Sequence, residues 1–318
     1  MRQALAWSLA AISTSSALSL SGFSWNWALA GGIAAAAVFI AELHLAGRCG
    51  GALARQLGTS GVGRALLLAY GVWTVLACAR AAALGEVIFP DQNAKAVTPA
   101  AVLLLSALCS LRGSMAPARS AGVIALCLGG IYALILLAAM GQVRLSWIEA
   151  GADARQGLAS FCTLLAPCAI TMLPLEKKRP RAAAAGAALA LPPALFCAAS
   201  AGSLSPQVAA AETPALYAAA KSLSVFSVME RFEAILSAAM FLGLFCMTSL
   251  LAQSGGAALC AGKRKWPAAA VCAAAYASMN TCKRLPDWFW QGGAAVCWGI
   301  LPISALLIVA IKKSEKRG

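Results

Sequence analysis

The stretch GLASFCTLLAPCAITMLPL, residues 157–175, runs for 19 residues without a charge. A bilayer core takes about 20 apolar residues as a helix, so this run is long enough to cross one. Arg155 stands before it, and Glu176, Lys177, Lys178 and Arg179 follow. Its interior is not that of a plain span, because Pro167 sits at the middle with Thr163 and Thr171 nearby. Proline lacks the N–H that a helix needs and clashes with the preceding turn, so the helix is expected to break there. At membrane depth, backbone leaves helical geometry only where protein or a water-filled cavity satisfies it.

The rest of the chain has the same character. Of its 318 residues 61% are hydrophobic and 11% charged, with a mean hydropathy of +0.79. A soluble domain carries about 25% charged residues, so lipid is the solvent for most of this chain. Apolar stretches bounded by charge or turn residues give spans near 4–22, 27–46, 62–84, 97–111, 120–141, 157–175, 183–203, 232–255, 267–282 and 290–311. The expected fold is all-α, a polytopic membrane protein of about ten transmembrane helices joined by short loops.

Loop charge tests that count, since cytoplasmic loops are enriched in Lys and Arg. Alternate loops, with the two termini, collect seventeen cations, among them Arg48, Arg112, Lys177 and Lys263, against the two acids Glu176 and Glu315. The loops between them hold eight cations and eight acids. The net charge of +14 is therefore a topological signal that places both termini on the cytoplasmic side. It does not point to nucleic acid, whose binders gather their cations on one solvated face. Arg2, the apolar run after it and Ala28-Leu29-Ala30 have the outline of a secretory leader. The long run and Trp25 and Trp27 favour a retained first span instead.

Twelve cysteines lie mostly within spans, and no pair has Cys-x-x-Cys spacing. They read as small packing residues, with no disulfide framework, metal site or cofactor implied. There is no Gly-x-Ser-x-Gly elbow, Walker loop or His-Glu-x-x-His, and there is a single His. An enzyme is not expected.

Two spans carry polar or helix-breaking residues at their middles: Ser13, Thr14, Ser15 and Ser16 in the first, and Pro167 with Thr163 in the sixth. These spans open two five-span halves, about 1–141 and 157–311, which predicts an inverted five-plus-five repeat with broken first and sixth helices. Transporters of that kind bind solute at the breaks, with half-helix N-termini facing an anionic group such as a carboxylate. Glu42 and His44 lie two apart near the cytoplasmic end of the second span, so they face different ways. Glu42 is expected to snorkel to the headgroups. Arg80, in the outer part of the third span, faces either a cavity or the interface. Residues 204–231, with alternating apolar and polar positions from Leu216 to Phe226, are expected to form an amphipathic helix at the outer membrane surface.

The end of that segment, Glu230-Arg231-Phe232-Glu233-Ala234 running into Phe241-Leu242-Gly243, resembles the Glu-Arg-x-Glu-Ala signature of the spore germination permease family. These are the B subunits of nutrient germinant receptors, in the amino acid, polyamine and organocation transporter superfamily. Thr213-Pro214, Lys221-Ser222, Ile12-Ser13-Thr14-Ser15 and Leu173-Pro174 are further points of similarity, in order along most of the chain. The sixth span departs from the family, reading Phe161-Cys162-Thr163-Leu164-Leu165 where a Pro-Phe-Gly-Glu type break is expected, and the chain is shorter than typical members.

The resemblance implies a small germinant, such as an amino acid, held between the first, third, sixth and eighth spans. That assigns ligand contacts to Ser13, Thr14, Ser15, Ser16, Tyr70, Thr163, Pro167 and Thr248. It gives Glu230, Arg231 and Glu233 a structural or signalling role. It further implies the spore inner membrane, with both termini on the spore core side, and A-type and C-type receptor subunits as partners beside membrane lipid. A secondary amino acid permease of the vegetative membrane fits the same topology, as does a ligand-blind scaffold subunit.

Overall fold

Small residues govern how this chain packs. A computed structural model describes residues 12–17, 19–49, 54, 57–58, 61–88, 92–113, 116–173, 182–212, 214–222, 232–260, 266–305 and 307. Every regular element among them is helical. The long helices are α1 (Trp25–Cys49), α2 (Gly61–Ala83), α3 (Gln92–Arg112), α4 (Ala116–Met140), α6 (Ala182–Leu204), α8 (Phe232–Cys260) and α9 (Trp266–Cys282). Shorter ones are α5 (Ala154–Leu164), α7 (Ala215–Ser222) and α10 (Asp287–Ala294).

Among the described residues five helices are long and apolar enough to cross a membrane, lying within α1, α2, α4, α6 and α8. The expected count of about ten is not reached among the described residues, where other apolar helices are shorter. The apolar part of α3 is Val97–Arg112, and α9 has 17 residues. Large apolar side chains face outward on α2 (Val62, Leu68, Val72), α3 (Leu104, Leu108) and α4 (Val123, Leu126, Leu134, Leu137). Exposed apolar surface this extensive suits lipid, not water.

The helices pack in a crosswise set. α1 lies along α6, α2 along α8 and α3 along α9, and α2 also packs on α9 while α3 packs on α8. Without a hydrophobic force between helices in lipid, close backbone approach supplies the attraction. A side chain at Gly31 of α1 would meet the backbone of α5, and one at Gly256 of α8 would meet Ala268 of α9.

The stretch read as the sixth span is not one continuous α-helix, as Pro167 suggests. α5 ends at Leu164, and Ala166–Met172 continues as a 3-10 helix with Pro in its first turn. At about 1.5 Å per residue α5 reaches about 16 Å, and the 3-10 segment adds about 14 Å at about 2.0 Å per residue. End to end the two approach the thickness of a hydrocarbon core. All seven residues of the 3-10 segment are buried. The first span differs from expectation: residues 12–17 are helical, and turns follow at 19–22. Ser13 to Ser16 therefore do not break the helix, in keeping with the ability of Ser and Thr to bond helix carbonyls without leaving the helix. Residues 1–11 lie outside the described set. The last span holds a feature the sequence did not announce, a π-helical stretch at Ala295–Ile300 directly after α10.

Residues 204–222 form two short helices, Pro206–Ala211 and α7, where one surface helix was expected. Ser205 takes φ 79° and Glu212 is extended, and the Pro214 carbonyl opens α7 by accepting from Tyr217 N. Ala215, Leu216, Ala219 and Ala220 are buried, and α7 packs on α6 and α8. Its buried face thus lies against the bundle. Glu230 and Arg231 lie outside the described residues, and of Glu233 only its place at the start of α8 is described.

The loops that carry balanced charge meet one another. Asn26 Nδ2 and Trp27 Nε1 both donate to Gly151 O, at 3.1 and 2.7 Å, and Gly151 N donates to Asn26 Oδ1 at 3.0 Å. Arg144 N donates to Gly202 O at 2.9 Å, and Leu216 N donates to Ser21 Oγ at 3.1 Å. Lys283 pairs with Glu86, and Arg80 lies 3.5 Å from Asp287. Arg80 also sits 4.6 Å over the Trp290 ring, which settles it at the helix end, half-exposed. Asp287 is 85% exposed, and such pairs contribute about 0–1 kcal/mol. Asp287→Asn is expected to leave the melting temperature of purified protein nearly unchanged, and a large drop would mean the pair is shielded by something else.

Candidate functional site

The 3-10 segment is where polar groups from three helices converge. α1 presents a buried stripe of Ala28, Ala35, Phe39, Glu42 and Ala46 toward the bundle. These positions recur at helical spacing, so Glu42 belongs to the inward face. Its side chain is 0% exposed, whereas His44 is exposed. The expectation that Glu42 snorkels is thereby corrected: the carboxyl points into the bundle, away from the headgroups.

There it meets the 3-10 segment. Thr171 Oγ1 donates to Glu42 Oε2 at 3.1 Å, and the Cys168 thiol lies beside the same carboxyl. The Thr171 hydroxyl also donates to Cys168 O at 2.7 Å. A hydroxyl has one hydrogen to give, so the shorter bond takes most of it. Glu42 Oε1 has no hydrogen-bond partner. No Lys or Arg among the described residues pairs with this carboxyl.

On the other side of the segment the bonding is complete. Tyr70 of α2 and Ser254 of α8 join at 2.8 Å, and Ser254 Oγ donates to Ala169 O at 2.7 Å. Tyr70 donates to Ser254 and Ser254 donates to the carbonyl, so two hydrogens serve two acceptors. This chain of bonds ties α2, α8 and the 3-10 segment together. No protein-family model matches the chain, and no curated protein matches it either. What the site does is thus argued from these residues.

The structure sorts the residues read from sequence into several groups. Tyr70 and Pro167 do converge on the interrupted segment, Pro167 as a buried residue in its first turn. Thr248 instead bonds Ser106 Oγ at 2.7 Å and Leu244 O at 2.8 Å, and its own carbonyl accepts from Cys78 Sγ. That is a polar knot joining α8, α3 and α2. Thr163 bonds back to Ala159 O at 2.8 Å within α5. Ser13, Ser15 and Ser16 are buried and Thr14 half-buried. The place a side chain at Gly243 would occupy is 2.6 Å from Ser15 Oγ, so the first helical run packs on α8. Ser16 Oγ is buried without a partner.

Sequence reading passed over Ser254 and Cys168, and it placed Glu42 wrongly. For Glu42 the signal was present: it shares the spacing of Ala35, Phe39 and Ala46. For Ser254 nothing in its surroundings sets it apart from the many other serines of the spans.

A separate aromatic cluster fills the region between α2 and the last span. Trp73 lies 5.5 Å from Trp290, 5.7 Å from Trp298 and 6.1 Å from Phe289. It places rigid bulk from α10 and the π-helical stretch against α2, next to the Arg80–Asp287 pair.

Proposed function

We propose that this chain is a transporter-type membrane protein that binds a small polar solute, an amino acid being the first candidate, at the interrupted sixth span. The observation that carries this reading is the buried break itself. Backbone departs from α-helical form at Leu165–Met172 within a fully buried segment, with the one carboxyl of the second span set against it. Sites of this kind in transporters bind solute and coupling ions.

Two features support the five-plus-five arrangement. The crosswise packing of α1 with α6, α2 with α8 and α3 with α9 pairs three spans each with the one five places later, which a two-fold exchange of halves permits. The pairs α2 with α9 and α3 with α8 are then equivalent contacts. The loop contacts join only loops that the charge pattern assigns to one side, which agrees with an even number of crossings between successive ones.

The narrower reading is that the chain is the transporter-like subunit of a spore nutrient germinant receptor, sensing germinant in the spore inner membrane with A-type and C-type subunits. It rests on the resemblance at residues 230–234. The physical demand on such a sensor is that ligand bind one conformation better than another. The second reading, a vegetative amino acid permease, is favoured by Glu42, because a coupled carrier needs an intramembrane carboxylate and this one is buried at the break.

A tagged chain followed in its native cell separates them. The receptor reading expects it in the dormant-spore inner membrane, copurifying with two partner proteins. Presence in growing-cell membrane, alone, would favour the permease, and labelled amino acid uptake into proteoliposomes then becomes the measurement. No uptake and no binding of any amino acid would overturn both readings and leave a scaffold.

A further inference from the structure

We infer that Glu42 is the seat of a monovalent cation, a proton or sodium, held between α1 and the 3-10 segment. An ionised carboxylate taken out of water without a compensating charge costs many kcal/mol. Breaking even a well-made buried pair leaves a penalty that native structures avoid. Glu42 is 0% exposed, yet no Lys or Arg among the described residues pairs with it, and its Oε1 has no hydrogen-bond donor. Its other oxygen shares the single Thr171 hydrogen with the closer Cys168 carbonyl. The Cys168 thiol beside it is a weak donor, so the carboxyl is short of positive charge and keeps one oxygen unpaired. A proton neutralises the charge and makes that oxygen a donor, and a sodium ion neutralises the charge and takes that oxygen as a ligand.

The surroundings restrict which cation. One carboxyl brings one negative charge, and no group of three His, Cys, Asp or Glu side chains that could hold a metal occurs among the described residues. A divalent ion would leave a buried surplus of charge, and hard divalent ions take several oxygen ligands. The groups facing the carboxyl are Thr171, the Cys168 thiol, and Tyr70 within electrostatic reach, with Cys297 beyond Tyr70. All are neutral as thiol, phenol or hydroxyl, so none competes for the charge.

The position gives the cation leverage. Thr171 belongs to the interrupted segment, whose opposite face is tied to α2 and α8 through Tyr70 and Ser254. Occupying Glu42 removes the cost of keeping the carboxyl buried and so stabilises this packed arrangement. Emptying it favours any conformation in which Glu42 meets water. A ligand shifts a two-state equilibrium only by its differential affinity, and a buried cation has that differential. What the cation couples to rests on the solute-binding reading above, but the site itself does not.

Infrared difference spectra of the purified full chain, taken between low and high pH and between sodium and potassium buffers, test the site without any solute. A proton site gives a carboxylic-acid C=O band that titrates in the wild type and is missing in Glu42→Gln. A sodium site gives instead a shift of carboxylate bands on exchanging sodium for potassium, again missing in Glu42→Gln. Thr171→Val, which keeps the carboxyl and removes its donor, is expected to shift the same band, and it serves as the readout if Glu42→Gln does not fold. Spectra of wild type in which neither titration nor sodium produces a band sensitive to Glu42→Gln or Thr171→Val would overturn the inference. Failure of amino acid binding alongside a positive band would instead overturn only the solute reading.

Discussion

Replacing Tyr70 by alanine lowers the stability of the bundle by about 3–5 kcal/mol, the range for truncating a large buried aromatic. Tyr70 is among the largest fully buried side chains, 0% exposed, and it stands where α2, α8 and the 3-10 segment meet. Its loss leaves a cavity next to a segment that has no long α-helix to hold it in place. Tyr70→Phe removes only the hydroxyl. Ser254 keeps its bond to Ala169 O, so the orphaned group is a single acceptor lobe on Ser254 and the cost falls to about 0.5–1.5 kcal/mol. Unfolding of the purified chain in mixed micelles, followed by circular dichroism against denaturant, measures both. Equal losses for the two variants would mean that the hydroxyl, not the ring, holds the site. If Tyr70 instead contacts solute, as the resemblance implies, Tyr70→Phe weakens binding without lowering stability.

How much of this was legible beforehand differs from residue to residue. Pro167 announced the break in the sixth span because its missing N–H and ring clash act locally, whatever surrounds them. The polar run Ser13 to Ser16 announced nothing of the kind, since hydroxyls can bond within a helix and leave it intact. Glu42 was misplaced because depth along a span was weighed over direction around it: near the helix end, but on the stripe that faces inward. Thr248, which the resemblance assigns to the ligand, gives its hydroxyl to Ser106 and Leu244 O, and only the packing of α3 could reveal that bonding. The π-helical stretch at Ala295–Ile300 has no marker in its composition. Arg80 with Asp287 and Lys283 with Glu86 do meet between segments that the loop charges assign to one side.

Gly31→Leu is expected to abolish accumulation of folded protein, whereas Gly130→Leu is not. At Gly31 an added Cβ would stand 2.6 Å from Phe161 N, 2.6 Å from Ser160 Cβ and 3.0 Å from Gly157 O. Those are mostly backbone atoms of α5, which cannot turn aside as a side chain can. Overpacking a tight contact costs about 1–3 kcal/mol even for small additions, and a leucine requires α5 to leave α1. At Gly130, on α4, nothing lies within 4 Å of the added atom. Leucine there gains helix propensity of about 1 kcal/mol over glycine and adds apolar surface toward lipid. Both are glycines inside apolar helices, so hydropathy and composition treat them alike; only the approach of α5 separates them. Fluorescence-detected size-exclusion of tagged protein reads the difference as loss of the monodisperse peak for Gly31→Leu and its retention for Gly130→Leu. Equal peaks would show that α5 does not lie against α1. Because α5 runs directly into the segment that carries Cys168 and Thr171, Gly31→Ala, the smaller lesion, is expected to fold in reduced amount and to disturb the Glu42 band before it empties the peak.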